Sequence, residues 1–260
     1  MLLKDTLSNL KKTKFYDFIV IDAINQRVNL SPEQIQRLSD RRFGIGCDQL
    51  LIVEAPKSPD ADFYYRIFNY DGSEVENCGN GARCFAKFVR DRQLTGKSTI
   101  IVDTVCGRMS LQVQKDNLII VDMGVPILEP AAIPFRTSQR QTTYPLQLSD
   151  RVITISAISM GNPHAVTVVE NVATALIASQ GAEIEVHSDF PNKVNAGFMA
   201  IKSRHEIDLR VYERGVGETL ACGTGACAAV VAGRLQQKLD ANVQVNLSGG
   251  ILTIWLLHIS

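Results

Sequence analysis

The sequence lacks most of what would tie it to a special partner or solvent. Lys and Arg total 27 and Asp and Glu total 27, so the formal net charge is zero. The basic excess of a dedicated nucleic-acid binder is therefore missing. No run approaches the ~20 apolar residues that span a bilayer. The opening MLLKDTLSNLKKTKF holds no apolar core long enough for a signal peptide. Cysteine is scarce, six in 260 residues, far below the ~8–10% of a disulfide scaffold. No Cys-x-x-Cys pair occurs and the four histidines are scattered, which makes a zinc site a poor reading. What is present is ordinary for a soluble globular chain: 45% hydrophobic and 21% charged residues. The length fits one large domain or two modest ones. A cytoplasmic enzyme, or a soluble binding protein with free thiols, remains.

The pattern of elements favours α+β. A strand is expected over Phe18–Ala23. A helix should begin at Ser31, with Pro32 at its first position and Gln34 completing a capping box. Strands follow near Leu50–Val53, Phe63–Phe68, Thr99–Asp103, Met109–Val113 and Leu118–Asp122, interrupted by a helix near Asn80–Arg92. Pro126, Pro130 and Pro134 then crowd one short segment, which cannot continue a helix or a central strand and marks the crossover between domains. The second half repeats the theme. Strands are expected near Val152–Ile158, Ala165–Val169, Ala196–Lys202 and Ile207–Tyr212, then a helix over Gly225–Leu239, then strands at Val243–Leu247 and Ile251–Leu256. Strands that mostly follow one another directly predict antiparallel sheet wrapped on a few helices rather than alternating βαβ units.

The halves share one signature, Cys-Gly-x-Gly-Ala, at Cys78 and again at Cys222, 144 residues apart. Each copy opens a helical pattern, and self-similarity at half-length predicts two related domains. The first turn of a helix has unpaired N–H groups and a partial positive charge. A cysteine there should have its thiolate favoured, and the flanking glycines leave the backbone open to a carboxylate. Two such motifs acting on one small carboxylate suit inversion at an α-carbon. One thiolate would remove the α-proton from one face and the other thiol would return a proton to the opposite face. Helix N-termini aimed at the carboxylate would stabilise the charge that builds as the proton leaves. Cys47, Cys84, Cys106 and Cys227 read instead as small packed apolar residues. A dinucleotide-binding reading of the first motif fails, because Cys84 stands at the third glycine position.

Several longer motifs, in order, resemble the diaminopimelate epimerases over about Asp17 to Trp255. They are Gly44-Ile45-Gly46-Cys47-Asp48-Gln49, then Phe68-Asn69 ahead of Asp71-Gly72-Ser73-Glu74, then Cys78-Gly79-Asn80-Gly81-Ala82-Arg83-Cys84. Ser159-Met160-Gly161-Asn162-Pro163-His164 follows, then Asn195-Ala196-Gly197-Phe198, Tyr212-Glu213-Arg214-Gly215, Glu218-Thr219 and the run from Ala221 to Ala226. The resemblance implies two pseudo-symmetric domains, 1–122 and 123–260, each a mostly antiparallel sheet curled round a central helix. It implies an enzyme without metal, pyridoxal phosphate or nicotinamide that interconverts LL- and meso-diaminopimelate between the domains, in lysine and peptidoglycan synthesis. Cys78 and Cys222 match the acid/base pair. Gly79, Asn80, Gly223 and Thr224 match the positions that hold the reacting carboxylate. Gln49, Asn69, Asn162, Asn195, Glu213 and Arg214 match positions that bind the rest of the substrate. Chemistry agrees: an arginine can grip a distal carboxylate with two prongs, and Asn and Glu oxygens can accept from an ammonium. His164 and Glu213 suit the thiols' protons. The substrate would be the small-molecule partner, with a homodimer suggested by the family and neither nucleic acid nor membrane involved.

Two departures from the family pattern lower the expected turnover. Tyr16, within Lys14-Phe15-Tyr16-Asp17-Phe18, stands where a substrate-binding Asn is expected. After Trp255 the chain runs only through Leu256-Leu257-His258-Ile259-Ser260, where the family continues, so the final strand is expected to be missing. Two alternatives stay open: a catalytically silent or truncated paralogue that only binds ligand or a partner, and a proline-type racemase. Arg214 and the set of asparagines speak against the second, whose substrate has no distal polar end.

Overall fold

A computed structural model describes residues 2–3, 17–75, 79–105, 107–115 and 118–256. Tyr16, Cys78, Cys106 and the last four residues lie outside this set, and with them the expectations placed on Tyr16 and on the C-terminal end. The described chain divides into two compact units between Met123 and Gly124.

The first unit is one mixed sheet. Its strands are β1 (Leu2–Leu3), β2 (Phe18–Ala23), β3 (Gln49–Glu54), β4 (Phe63–Asn69), β5 (Glu74–Val75), β6 (Thr99–Thr104), β7 (Gly107–Val113) and β8 (Ile119–Val121). Helix α1 (Pro32–Ser39) separates β2 from β3, and α2 (Gly79–Asp91) follows β5. The spatial order is β1-β2-β3-β4-β6-β7-β8, with β5 on β4. The expected capping box forms: Ser31 Oγ accepts from the Gln34 N–H at 3.3 Å, and Gln34 Oε1 accepts from the Ser31 N–H at 2.8 Å. Strand β3 shows why its sequence has no polar alternation. Leu51 and Val53 join the cluster that includes Phe85 and Val89 of α2, while Leu50 and Ile52 join the opposite cluster with Ile35 of α1. Successive side chains point to opposite faces, and both faces are covered.

The second unit is built from β9 (Tyr144–Gln147), β10 (Val152–Ser159), β11 (Pro163–Val168), β12 (Asn195–Ser203), β13 (Glu206–Glu213), β14 (Gly217–Thr219), β15 (Asn242–Leu247) and β16 (Gly250–Trp255). Helix α3 (Ile177–Glu185) separates β11 from β12, and α4 (Gly223–Leu235) separates β14 from β15. The order is β16-β15-β13-β12-β11-β10-β9, with β14 on β13. Helix α4 touches β10, β11, β12, β13 and β16, so its sheet curls round it. Ten of its residues are buried, mostly Ala, Val and Gly. A helix enclosed on all sides has no reason to be amphipathic.

Strand for strand, β2 to β7 correspond to β11 to β16. In both units the first and second of these strands run parallel, the second and third antiparallel, and the third pairs in parallel with the fifth. The short fourth strand hangs on the third in each. Antiparallel pairs predominate, as expected, and the parallel pairs add crossovers that the sequence reading does not place. The chain makes two crossovers in each unit, through α1 and α2 and through α3 and α4. Helix α3 is an addition, since its central Gly181 and nine-residue length hide it from sequence pattern. Helix α4 ends at Leu235 rather than Leu239, because Gln237 turns left-handed (φ +59°) and Lys238 N–H returns to Gly233 O at 2.9 Å. The proline-rich segment forms only a 3₁₀ turn at Pro130–Ala132 and a bridge from Ile127 to Ser159.

Candidate active site

In the second unit, strand ends and a helix start gather the predicted residues. Cys222 is the N-cap of α4. Its Sγ accepts from the Gly225 N–H at 3.4 Å and lies 3.5 Å from Thr224 Oγ1. The approach depends on Gly225: a Cβ there would sit 3.1 Å from Sγ and 3.0 Å from Val211 Cγ2. The N–H groups of Gly223 and Thr224 open the helix, where no intrahelical carbonyl can serve them. They form a cradle for an anion next to the sulfur.

The thiol itself overturns an expectation. Burial, then the negative charge of Glu213, raise its pKa well above the ordinary range, and the Thr224 hydroxyl and Gly225 N–H pull downward without prevailing. The helix start does favour a thiolate, but loss of hydration outweighs it. Cys222 rests as a thiol facing the Glu213 carboxylate, which also accepts from Thr219 Oγ1.

A second group surrounds Arg214. Residues Glu213 to Val216 make a turn closed by the Val216 N–H on Glu213 O at 3.1 Å. Gly215 has φ +75° while Arg214 does not enter the left-handed region, the pattern of a type II turn. Asn195 is buried and ties this turn to β11, accepting from the Arg214 N–H at 2.9 Å and donating to Pro163 O at 2.8 Å. The half-buried Arg214 side chain donates through Nη1 to Asn192 O at 3.2 Å. Among the described residues it meets no carboxylate. His164, on β11, is fully buried, and its Nε2 lies 3.1 Å from Asn162 Oδ1. Burial, helped by the charge of Arg214, lowers its pKa from 6.5 to about 3. A neutral ring facing a carbonyl oxygen carries its proton on Nε2. That leaves Nδ1 as an acceptor, buried and without a partner among the described residues.

In the first unit, Gln49 opens β3 directly opposite Asn69, which closes β4. Gln49 Nε2 donates to Asn69 Oδ1 at 3.2 Å, and Asn69 Nδ2 donates to Ser73 Oγ at 3.2 Å. Gly79 and Asn80 begin α2. Cys78, just before them, lies outside the described residues, as does the side chain of Asn80. Cys47, Cys84 and Cys227 pack as small apolar residues, Cys47 and Cys227 buried and Cys84 against the core of its unit.

The correspondence of strands pairs residues across the two units and adds Arg66 and Arg210, which motif reading passes over. Asn69 and Glu213 close equivalent strands, and Gln49 and Asn195 open equivalent strands. Arg66 grips Glu74 with two prongs as Arg210 grips Glu218. Both arginines and both glutamates recur at the 144-residue spacing of the two cysteines, and that repeat is the signal that could have found them.

The architecture, two units of like topology each opening a helix after a short hanging strand, is similar to that of solved structures. A hydroxyproline epimerase from Agrobacterium vitis superposes with a TM-score of 0.66 at 13% identity, over 92% of this chain and 80% of that one. The two chains share a fold. Sequence narrows it further. The diaminopimelate epimerase family profile matches residues 16–129 and 156–259. Diaminopimelate epimerase of Teredinibacter turnerae is 63% identical over 92% of this chain and 86% of that one. Its namesake in Thioalkalivibrio sulfidiphilus is 60% identical over the same shares. The chain belongs to the diaminopimelate epimerase family.

Proposed function

We propose that this chain is an isomerase interconverting LL- and meso-diaminopimelate by two-thiol acid/base chemistry, each half supplying one thiol. Cys78 takes the α-proton as a thiolate and Cys222 delivers its own proton to the opposite face. One C–H bond breaks and another forms, and the two sulfurs exchange protonation states. The raised pKa of Cys222 suits the donor role. In the reverse direction Cys222, as the thiolate left by the forward step, takes the α-proton and Cys78 returns its own proton to the first face. The N–H groups of Gly223 and Thr224, with those of Gly79 and Asn80, hold the α-carboxylate and stabilise the charge it gains in the transition state. Gln49, Asn69, Asn162 and Asn195 frame the remaining polar atoms, and His164 Nδ1 offers an acceptor.

One observation carries the choice of substrate: a half-buried Arg214 whose guanidinium meets a backbone carbonyl and no carboxylate among the described residues. A distal carboxylate is its natural partner. A proline-type substrate has none, which speaks against that reading. No described helix is long and apolar enough to cross a membrane. We place the enzyme in lysine and peptidoglycan precursor synthesis, in the cytoplasm and as a homodimer, the last testable by sedimentation.

Incubation with LL-diaminopimelate in heavy water under reducing conditions tests the reading. Deuterium should enter the α-position of wild type and not of Cys78→Ala or Cys222→Ala. A wild type that incorporates no label would sink it, and label entry undiminished in both variants would sink the two-thiol mechanism.

A further inference from the structure

The turn that carries Arg214 has a second support, outside every motif that identifies the site. A type II turn leaves its two central N–H groups without partners inside the turn. Here both are taken by side chains. The Arg214 N–H goes to Asn195 Oδ1, and the Gly215 N–H goes to Glu185 Oε1 at 2.8 Å. Glu185 is the last residue of α3 and only 8% exposed. Among the described residues its one ionic contact, Lys193 Nζ at 3.4 Å, comes from a half-exposed side chain. The Glu185 carbonyl also accepts from the Val194 N–H at 3.0 Å, next to Asn195. One residue thereby braces both loops that touch Arg214: the turn itself and the segment whose Asn192 O receives Nη1.

The helix is held in place for this. A Cβ on Gly181 would lie 2.6 Å from Cβ and Cγ of Tyr212, so α3 rests directly on β13, two residues before Arg214. Glu185 lies one turn beyond Gly181, on the same face. The first unit supplies the contrast. Its equivalent helix ends at Ser39, whose carbonyl accepts from the Cys47 N–H in the same manner, but whose hydroxyl, among the described residues, meets only the Cys47 thiol. The residue after its equivalent strand is Tyr70, 58% exposed. A long buried carboxylate occurs in the unit that has the arginine, and a short hydroxyl in the unit that does not.

We propose that Glu185 is a positioning residue for substrate selection: by holding the Gly215 N–H it fixes the backbone from which Arg214 reaches the distal carboxylate. The inference rests on the functional reading above. Gly215 is exposed, so water can replace the lost acceptor, and removal of Glu185 should loosen the turn more than it unfolds the unit.

Steady-state kinetics with LL-diaminopimelate, together with amide hydrogen exchange at Gly215, test the proposal. Glu185→Ala should raise KM about tenfold or more, the scale of one charge-assisted hydrogen bond, with kcat within about threefold. Glu185→Gln keeps an oxygen acceptor and should restore most of the loss. In an Arg214→Ala background, Glu185→Ala should add nothing further to KM. Gly215 exchange should accelerate in Glu185→Ala. Should the alanine variant fail to fold, Glu185→Asp, which withdraws the carboxylate by one methylene, should raise KM severalfold and also speed exchange. An unchanged KM, an equal KM rise without Arg214, or unchanged Gly215 exchange overturns the proposal. A wild type inactive on diaminopimelate would instead defeat the functional reading, while the exchange comparison would still decide whether Glu185 holds the turn.

Discussion

Arg210 clasps Glu218 with both prongs of its guanidinium, Nε to Oε1 at 2.6 Å and Nη2 to Oε2 at 2.8 Å. The clasp locks the short strand β14 onto β13 just ahead of Cys222. Arg66 and Glu74 repeat it at 2.8 and 2.9 Å ahead of α2. Each side chain is about a quarter to a third exposed, so solvent screens part of the attraction. Double-mutant cycles should give two similar coupling energies, each about 0.5–1 kcal/mol. Coupling present in one unit and absent in the other would contradict the equivalence.

Gly225→Ala sets two effects against each other. Alanine is intrinsically the better helix former by about 1 kcal/mol. The added Cβ, however, would press on Val211 Cγ2 at 3.0 Å and on the Cys222 sulfur at 3.1 Å, between two buried groups. Overpacking of this kind commonly costs about 1–3 kcal/mol. A net loss of stability in chemical denaturation is expected, with a larger loss of α-proton exchange because the sulfur itself is displaced. A stabilised and fully active variant would show that the sulfur has room.

His164 makes stability depend on pH. Its folded pKa of about 3 lies below the ordinary 6.5. Above 6.5 the ring is neutral in both states and contributes no pH dependence. As pH falls below 6.5 the unfolded chain binds a proton that the folded chain refuses, so stability drops until about pH 3. The slope should be about 1.4 kcal/mol per pH unit. Denaturation midpoints between pH 6.5 and 4.5 should fall more steeply for wild type than for His164→Gln. Parallel curves would mean the ring is protonated in the fold.

Glu213→Gln removes the negative charge that, after burial, most raises the Cys222 thiol. The thiolate should then form at lower pH, read as an ultraviolet difference between Glu213→Gln and Glu213→Gln/Cys222→Ala. Catalysis should nevertheless fall, because the carboxylate that faces and orients the Cys222 thiol is gone. A thiol that titrates no lower in the glutamine variant would remove Glu213 from that role.

Much of the scaffold was legible from residue pattern. The strand-forming runs, the Ser31 capping box and the repeated cysteine motif located most strands and three of the four described helices. Helix α3 was not legible, since its identity depends on Gly181 meeting Tyr212, a contact between segments that pattern cannot see. Parallel pairing was hidden for a similar reason, because β3 and β12 take partners of both directions. Residues of the proposed site were named by motif, but their states were not. The helix start at Cys222 argues for a thiolate until its burial and the neighbouring Glu213 are known. Asn195 is named by motif as a ligand-binding amide, but its hydrogen bonds to Pro163 O and the Arg214 N–H could not be read from sequence.

The equivalent strand ends of the two halves have one further consequence. Where one half places an amide at Asn69 and a phenol at Tyr70, the other places a carboxylate at Glu213 and a guanidinium at Arg214. A frame with repeated topology thereby acquires polarity. The same strand end is neutral in one unit and charged in the other, so a repeated topology does not impose a repeated chemistry.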